Sequence, residues 1–223
     1  MSSLTPKQVL FTHFAAVAKT IGNAHRLELL EQLGQGERNV EILAQKTGLT
    51  LANASQHLQH LRRAGLVASR RSGTFIYYRL ADDAVLELLS SLRLVAERNV
   101  AEAGRVIDGY FHERDDMEPV TRKELMKRLK AGDVTVIDVR PTDEYAIAHL
   151  PGAINMPLDK LSARSSALDP ARDIVAYCRG AYCVYSFEAV ARLRKRGFNI
   201  RRLEDGLPEW KAAGLPVEQV APK

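Results

Sequence analysis

The apolar pattern of this chain changes once, at "HERDDMEP" (residues 112–119), a polar stretch ended by proline. Before it, apolar side chains recur at the 3.6-residue spacing of helices; after it, short β-branched runs alternate with helical stretches. One layer type cannot bury both patterns. The change therefore predicts two domains, over 1–112 and 120–223, with 113–119 as a linker. A length of 223 residues with 46% apolar side chains is enough for two cores. No stretch approaches the ~18 consecutive apolar residues needed to cross a bilayer. The start, MSSLTPKQVLFTHFAAV, also lacks a basic segment followed by a long apolar run. The expected setting is the cytoplasm, with no membrane partner.

In the first half, helical spacing runs from Val9 to Ala18, then through Leu27, Leu29, Leu30 and Leu33, until Gly34 and Gly36 interrupt it. Val40, Ile42, Leu43 and Ala44 mark a short third helix. "KTGLT" then supplies a glycine turn, with Thr50 placed to cap the next helix. From Leu51 to Ala64, Leu51, Ala54, Leu58 and Leu61 share one helix face, and Asn53, Gln56, His60 and Arg63 share the opposite one. "LVASRR" and "FIYYRL", on either side of "SG", predict two short strands joined by a hairpin. Between Glu41 and Asp82 there is no acidic residue, while Lys46, Arg62, Arg63, Arg70, Arg71 and Arg79 supply six positive charges. Such a segment is either a solvated basic face or an electrostatic footprint for nucleic acid.

"NAHRLELLEQL", "LTLANASQHLQHLRRAGLV" and "RRSGTFIYYRL", in that order, resemble the ArsR/SmtB group of winged-helix repressors over roughly residues 7 to 100. The resemblance implies a mainly α winged helix-turn-helix fold, a homodimer, and double-stranded operator DNA as partner, with two recognition helices in successive major grooves. By position, Asn53, Gln56 and His60 become candidates for base edges, since side-chain amides can bond adenine bidentately. Arg62, Arg63, Arg70 and Arg71 become candidate phosphate contacts. Members of the group sense metals or arsenite through cysteines on the third helix, or through His and Asp on the last one. Here "ERNVEILAQ" has no cysteine and "DDAVLELLSSLRLVAERNVAEAGRVIDGYF" no histidine. Neither place offers thiolate or imidazole ligands, so no metal or other cofactor is expected. That last stretch, roughly 82 to 111, carries Val85, Leu88, Leu89, Leu92, Val95, Val106 and Tyr110. It reads as one long helix for dimerisation, with ordinary core packing as the alternative.

In the second half, Thr121 with Glu124 predicts a capping box. "VTVIDV" (134–139), "DIVAY" (173–177) and "NIRRL" (199–203) predict strands, with a helix from Val184 to Arg196 between the last two. Strands alternating with helices predict a parallel α/β sheet, whose ligands meet the carboxyl ends of the strands. Both cysteines of the chain, Cys178 and Cys183, stand at such an end. A turn from strand to helix curls its backbone N–H groups around one point, so Gly180, Ala181, Tyr182 and Val184 supply a candidate backbone cradle for an anion. Arg179 adds positive charge beside Cys178, which predicts a thiol that ionises readily and acts as a nucleophile.

"VIDVRPTDEYAIAHLPGAINMP" and "GFNIRRLEDGLPEWKAAGLPV", with "YCRGAYC" between them, resemble the rhodanese sulfurtransferases over residues 120 to 218. The resemblance implies a rhodanese-like α/β fold and makes Cys178 the nucleophile that takes sulfane sulfur as a persulfide. It also implies a small sulfur donor: thiosulfate, a persulfide or a polysulfide. Cysteine-dependent phosphatases need an arginine six positions after the nucleophile, and here that position is Val184, so phosphate ester chemistry lacks its clamp. Cys183 departs from the common loop and is either a resolving thiol or a packing residue. Asp138 and Arg140 either orient the loop or substrate, or form an internal ion pair. His149 reads as structural, and Trp210 as packing of the last helix on the sheet. Together these readings predict a sulfur-responsive repressor. The alternatives are a repressor with an independent sulfurtransferase domain, or one with an inert interaction module.

Overall fold

The computed structural model describes residues 5–112, 115 and 117–220. The chain divides into two compact units, Met1–Val85 and Leu86–Lys223. Of the expected linker, residues 113, 114 and 116 lie outside the described residues. Asp115 in the same stretch is buried, paired with Arg194 at 2.8 Å and Arg202 at 3.0 Å. The polar break thus holds an ionic anchor of the second unit.

The first unit runs α1 (Pro6–Ile21), α2 (Ala24–Gly34), β1 (Arg38–Asn39), α3 (Val40–Thr47), α4 (Leu51–Arg63), β2 (Val67–Ser72) and β3 (Phe75–Leu80). Each helix starts where a side-chain oxygen satisfies an orphan amide: Thr5 for α1, Asn23 for α2, Asn39 for α3 and Thr50 for α4. Gly48, with φ +67°, ends α3 in the left-handed conformation and makes the tight turn into α4. Leu29, Leu30, Leu43, Ala54, Leu58 and Leu61 form the fully buried core. Leu51, expected with them, is exposed instead, because it stands on the first turn of α4 ahead of the buried stripe. β2 and β3 pair in antiparallel register down to Ser72 opposite Phe75, leaving only Gly73 and Thr74 for the turn. Gly73 has φ +61°, and no described residue other than glycine has positive φ, so the turn takes the II′ form that suits the twist of a hairpin. β1 adds a third antiparallel strand beside β3. Two residues are too few to show a strand period in sequence.

The division between the units falls in the first turn of α5 (Ala84–Asn99). The second unit continues with α6 (Ala101–Val106), π-helical turns at Ile107–His112, α7 (Arg122–Ala131), β4 (Val134–Asp138), α8 (Thr142–Ile147), β5 (Ile154–Asn155) and α9 (Leu161–Arg164). It closes with β6 (Asp173–Tyr177), α10 (Val184–Arg194), β7 (Ile200–Arg202) and α11 (Leu207–Ala212). The single long helix expected over 82–111 is therefore corrected to three pieces. Val100 is extended, and the Asn99 side chain donates to the Val95 carbonyl at 2.9 Å, competing with the helix backbone. Gly104 and Gly109 weaken the rest of the run. The capping box expected at α7 is also half formed. The Thr121 hydroxyl accepts from the Glu124 amide at 3.2 Å, but the Glu124 carboxylate reaches Arg201, a charge-assisted partner, rather than the cap.

The sheet order is β5-β4-β6-β7, all parallel. Alternation along β6 serves both faces. Ile174, Ala176 and then Cys178 join a cluster with Val190 and Leu193 of α10, while Val175 and Tyr177 join Leu203, Leu207 and Trp210 on the other side. Burying each large side chain there contributes about 1.5–3 kcal/mol, and an aspartate at Ala176 would place an unpaired charge in the centre. Trp210 packs α11 on the sheet as expected, with its indole N–H donating to the Pro216 carbonyl at 2.8 Å. Among the described residues, no helix is long and apolar enough to cross a membrane.

Candidate functional site

Burial of Ala54, Leu58 and Leu61 fixes which side of α4 faces outward. Asn53, Gln56, His60, Arg62 and Arg63 are all exposed on this helix, and Arg70 and Arg71 are exposed on β2. The wing arginines are not equivalent. Arg70 Nε lies 2.9 Å from both carboxylate oxygens of Glu37, and its guanidinium sits 4.8 Å from the Tyr77 ring centre. The hydrogen bond to Glu37 raises the Arg70 pKa above its ordinary value. Arg71 instead donates to the Gly73 carbonyl at 3.2 Å, with no carboxylate in that bond. Arg62 reaches the Ser69 hydroxyl at 3.4 Å and links helix to wing. Glu37 was missed by sequence reasoning because it lies just before the acid-free segment and meets Arg70 only through the fold.

Between the end of β6 and the start of α10, Cys178 and Cys183 are joined by a disulfide, with Cα atoms 6.0 Å apart. Both are buried. The Cys183 amide donates to the Gly180 carbonyl at 3.2 Å. Among the described residues, no backbone acceptor pairs with the amides of Gly180, Ala181, Tyr182 or Val184. These donors, with the N-terminal end of α10, supply positive field to the loop. Arg179 contributes less of it than its place in the sequence suggests. Its Nε and an NH2 group bond the buried Glu144 at 2.9 and 2.7 Å, and its guanidinium lies 5.2 Å from the Tyr185 ring centre. The far side of the loop is held by backbone. The Leu207 amide donates to the Cys178 carbonyl at 3.2 Å, and a side-chain carbon placed on Gly206 would collide with the Arg179–Gly180 peptide.

Asp138 and Arg140 are fully buried and form an internal ion pair, one of the two arrangements expected for them. Arg140 Nε lies 3.0 and 3.1 Å from the two Asp138 oxygens, and an NH2 group donates to the Ala148 carbonyl at 2.7 Å. The Tyr177 hydroxyl donates to Asp138 Oδ2 at 2.6 Å and accepts from the Leu150 amide at 3.0 Å. Burial works against the Arg140 charge, but the hydrogen bond and attraction of Asp138 outweigh it and raise the guanidinium's pKa. Burial first, and then the Asp138 charge, push the Tyr177 phenol well above its usual value. The cluster steadies the strand end from which Cys178 emerges. His149 is buried with its ring stacked on Tyr145, centroids 3.8 Å apart.

Residues 121–213 match the family model of the rhodanese-like domain, and residues 21–70 that of a helix-turn-helix domain. The HTH-type transcriptional regulator Rv0324 of Mycobacterium tuberculosis is 45% identical over 216 residues, covering 97% of this chain and 95% of that protein. A protein named sulfurtransferase from Allochromatium vinosum is 34% identical over 92 residues, 41% of this chain and 82% of its own length. Among solved structures, the homodimeric winged helix-turn-helix DNA-binding domain of Mb0332 from Mycobacterium bovis, a possible ArsR-family regulator, is 40% identical with a TM-score of 0.41. That match covers 45% of this chain and 94% of the fragment. With 45% identity to a regulator over nearly the whole chain and two domain matches in order, the chain belongs to the family of HTH-type transcriptional regulators, its DNA-binding winged helix followed by a rhodanese-like domain.

Proposed function

We propose that this regulator responds to sulfane sulfur through Cys178. In the reduced protein, the Cys178 thiolate attacks the outer sulfur of thiosulfate, expelling sulfite, or the terminal sulfur of a persulfide or polysulfide, expelling a thiolate. Cys178 then carries a persulfide. The Cys183 thiolate attacks Cys178 Sγ, the persulfide S–S bond breaks, hydrosulfide leaves, and the intramolecular disulfide remains. The two protein thiols lose two electrons and the transferred sulfur gains them. The observation that carries this reading is the Cys178–Cys183 bond itself, because it brings the second cysteine within bonding reach of the first. The backbone donors around the loop favour the anionic sulfur before that step.

In the DNA-binding half, the regulator acts in the cytoplasm as a homodimer on double-stranded operator DNA, with Asn53, Gln56 and His60 at base edges and Arg62, Arg63, Arg70 and Arg71 along phosphates. Exposed apolar side chains on α1 (Phe11, Phe14) and α5 (Leu92, Val95) support self-association. The test is operator affinity of the full chain with and without thiosulfate or a small-molecule persulfide, for the wild type and Cys178→Ser. A donor should change wild-type affinity and leave the variant unmoved; an equal response in both would sink the reading. The name of the Allochromatium relative supports a second reading, an independent sulfurtransferase domain. In that case Cys178 takes up sulfur while operator affinity stays constant, whereas an inert module takes up none.

A further inference from the structure

We infer that Arg93 and Glu97 of α5, together with Phe111, are positioning residues of the cysteine loop and carry its state to α5. This rests on the reading that the loop is the reactive site. Tyr182, between the two cysteines, shares the wall of one cavity with Glu97, and its ring lies 5.1 Å from that of Phe111. Phe111 also meets Phe187 of α10 at 4.8 Å. Arg93 donates to Glu209 Oε1 at 3.1 Å, while Glu209 Oε2 accepts from the Gly206 amide at 3.0 Å. Gly206 is the residue whose backbone abuts the Arg179–Gly180 peptide. Arg202 donates to the Ala181 carbonyl at 3.3 Å and pairs with Asp115. Groups tied to Arg93, Phe111 and Asp115 therefore meet the loop at the Arg179–Gly180 peptide, the Ala181 carbonyl and the Tyr182 ring.

Beside these contacts lies a cavity of about 630 Å³, walled by Ser90, Arg93 and Glu97 on one side and Ala181 and Tyr182 on the other. The loop has room to rearrange into it. With the disulfide closed, the positions of Cys178 and Cys183 constrain Tyr182; opening the bond removes that constraint. Contacts made in one state and altered in the other bias the equilibrium between them, and the bias is reciprocal. If α5 holds the loop in its disulfide form, weakening the hold must make the disulfide easier to open.

The experiment equilibrates the full chain with mixtures of reduced and oxidised dithiothreitol, then counts free thiols by alkylation and intact mass. Opening the disulfide takes two electrons and two protons from the reduced dithiol, which closes to its own cyclic disulfide. Tyr182→Phe, Glu97→Gln and Arg93→Ala should each reach half-reduction at a ratio of reduced to oxidised reagent about fivefold or more below that of the wild type. Arg105→Ala, which breaks only an exposed pair with Glu102, should not move it. Midpoints equal to wild type in all three variants would overturn the inference. Tyr182→Phe keeps the ring on Phe111, so its shift does not depend on a damaged fold. The same reduced samples, given a persulfide donor, separate this inference from the functional reading. A shifted midpoint without sulfur on wild-type Cys178 leaves the coupling and removes the sulfur chemistry, while sulfur uptake with unshifted midpoints does the reverse.

Discussion

The Tyr177 hydroxyl lies 2.6 Å from Asp138 Oδ2, which ties the residue before the cysteine loop to the buried Asp138–Arg140 pair of the neighbouring strand. Tyr177→Phe keeps the ring in the core but leaves the Leu150 amide without its acceptor and Asp138 without one donor. An unsatisfied buried group costs about 1–3 kcal/mol. Urea unfolding of the variant should show a loss of that size with an unchanged denaturant slope. A loss below about 0.5 kcal/mol, within the range of an ordinary surface substitution, would mean that water replaces the phenol without penalty.

Operator binding should weaken steeply as salt rises, because arginines displace counterions from phosphates. Arg71→Ala should reduce the magnitude of the log–log salt slope by about one unit. Arg70→Ala should reduce it less, since Glu37 already balances that charge. Glu37→Ala should then strengthen binding and steepen the slope by releasing Arg70. Equal effects of the two arginine variants would show that DNA breaks the Glu37 pair at no cost.

Gln56 stands exposed on α4 opposite the buried Ala54–Leu58–Leu61 stripe. Gln56→Ala should relax discrimination at one base position per half-site, by about 1–3 kcal/mol. Affinity for unrelated sequences should stay within a factor of two or so, since an amide carries no charge to lose. Uniform weakening across all sequences would instead make Gln56 a backbone contact.

The helix-turn-helix and the parallel sheet were legible because each repeats a local rule: Thr50 and Gly48 mark the turn, and β-branched runs mark strands buried on both faces. The cysteine loop was legible for the same reason, since a strand end, a short turn and a helix start are adjacent in sequence. Its partners were not. Glu144 meets Arg179, Glu209 meets Arg93, and Glu37 meets Arg70 across separations that no spacing reveals. Charge read by proximity in sequence therefore overstated Arg179 and Arg70 as loose cations. The long helix after the wing failed through a different cause. Its apolar spacing persists beyond Asn99, but the Asn99 side chain bonds the Val95 carbonyl, Val100 is extended, and the run finishes in π-helical turns.

Burial, then the charge and hydrogen bond of Glu97, push the Tyr182 phenol up from 10.0 to about 12. The folded state thus holds this proton more tightly than the unfolded chain. The resulting contribution to stability is complete below pH 10 and is lost as pH rises from 10 through about 12. Phenolate absorbance during alkaline titration should show several late-titrating tyrosines, Tyr177 among them, and Tyr182→Phe should remove the one that titrates near 12. Glu97→Gln should move it back toward the ordinary range while leaving the share due to burial. A Glu97→Gln variant with an unmoved titration would show that burial alone sets the shift.

Cys178 and Cys183 make opposite predictions when replaced one at a time. Cys178→Ser should take up no sulfur and resist thiol labelling at residue 178 near neutral pH, because a serine hydroxyl is scarcely ionised there. Its fold should survive, since the exchange is nearly isosteric. Cys183→Ser should still accept sulfur on Cys178 but cannot expel it as hydrosulfide, so intact mass should show one added sulfur atom persisting on the protein. The wild type, treated alike, should instead lose two hydrogens and release sulfide, as the disulfide between the two residues requires. If the Cys183 variant matches the wild type in mass and in operator response, Cys183 is a packing residue and the Cys178 persulfide is the signal. If the Cys178 variant still transfers sulfur, the nucleophile lies elsewhere in the chain.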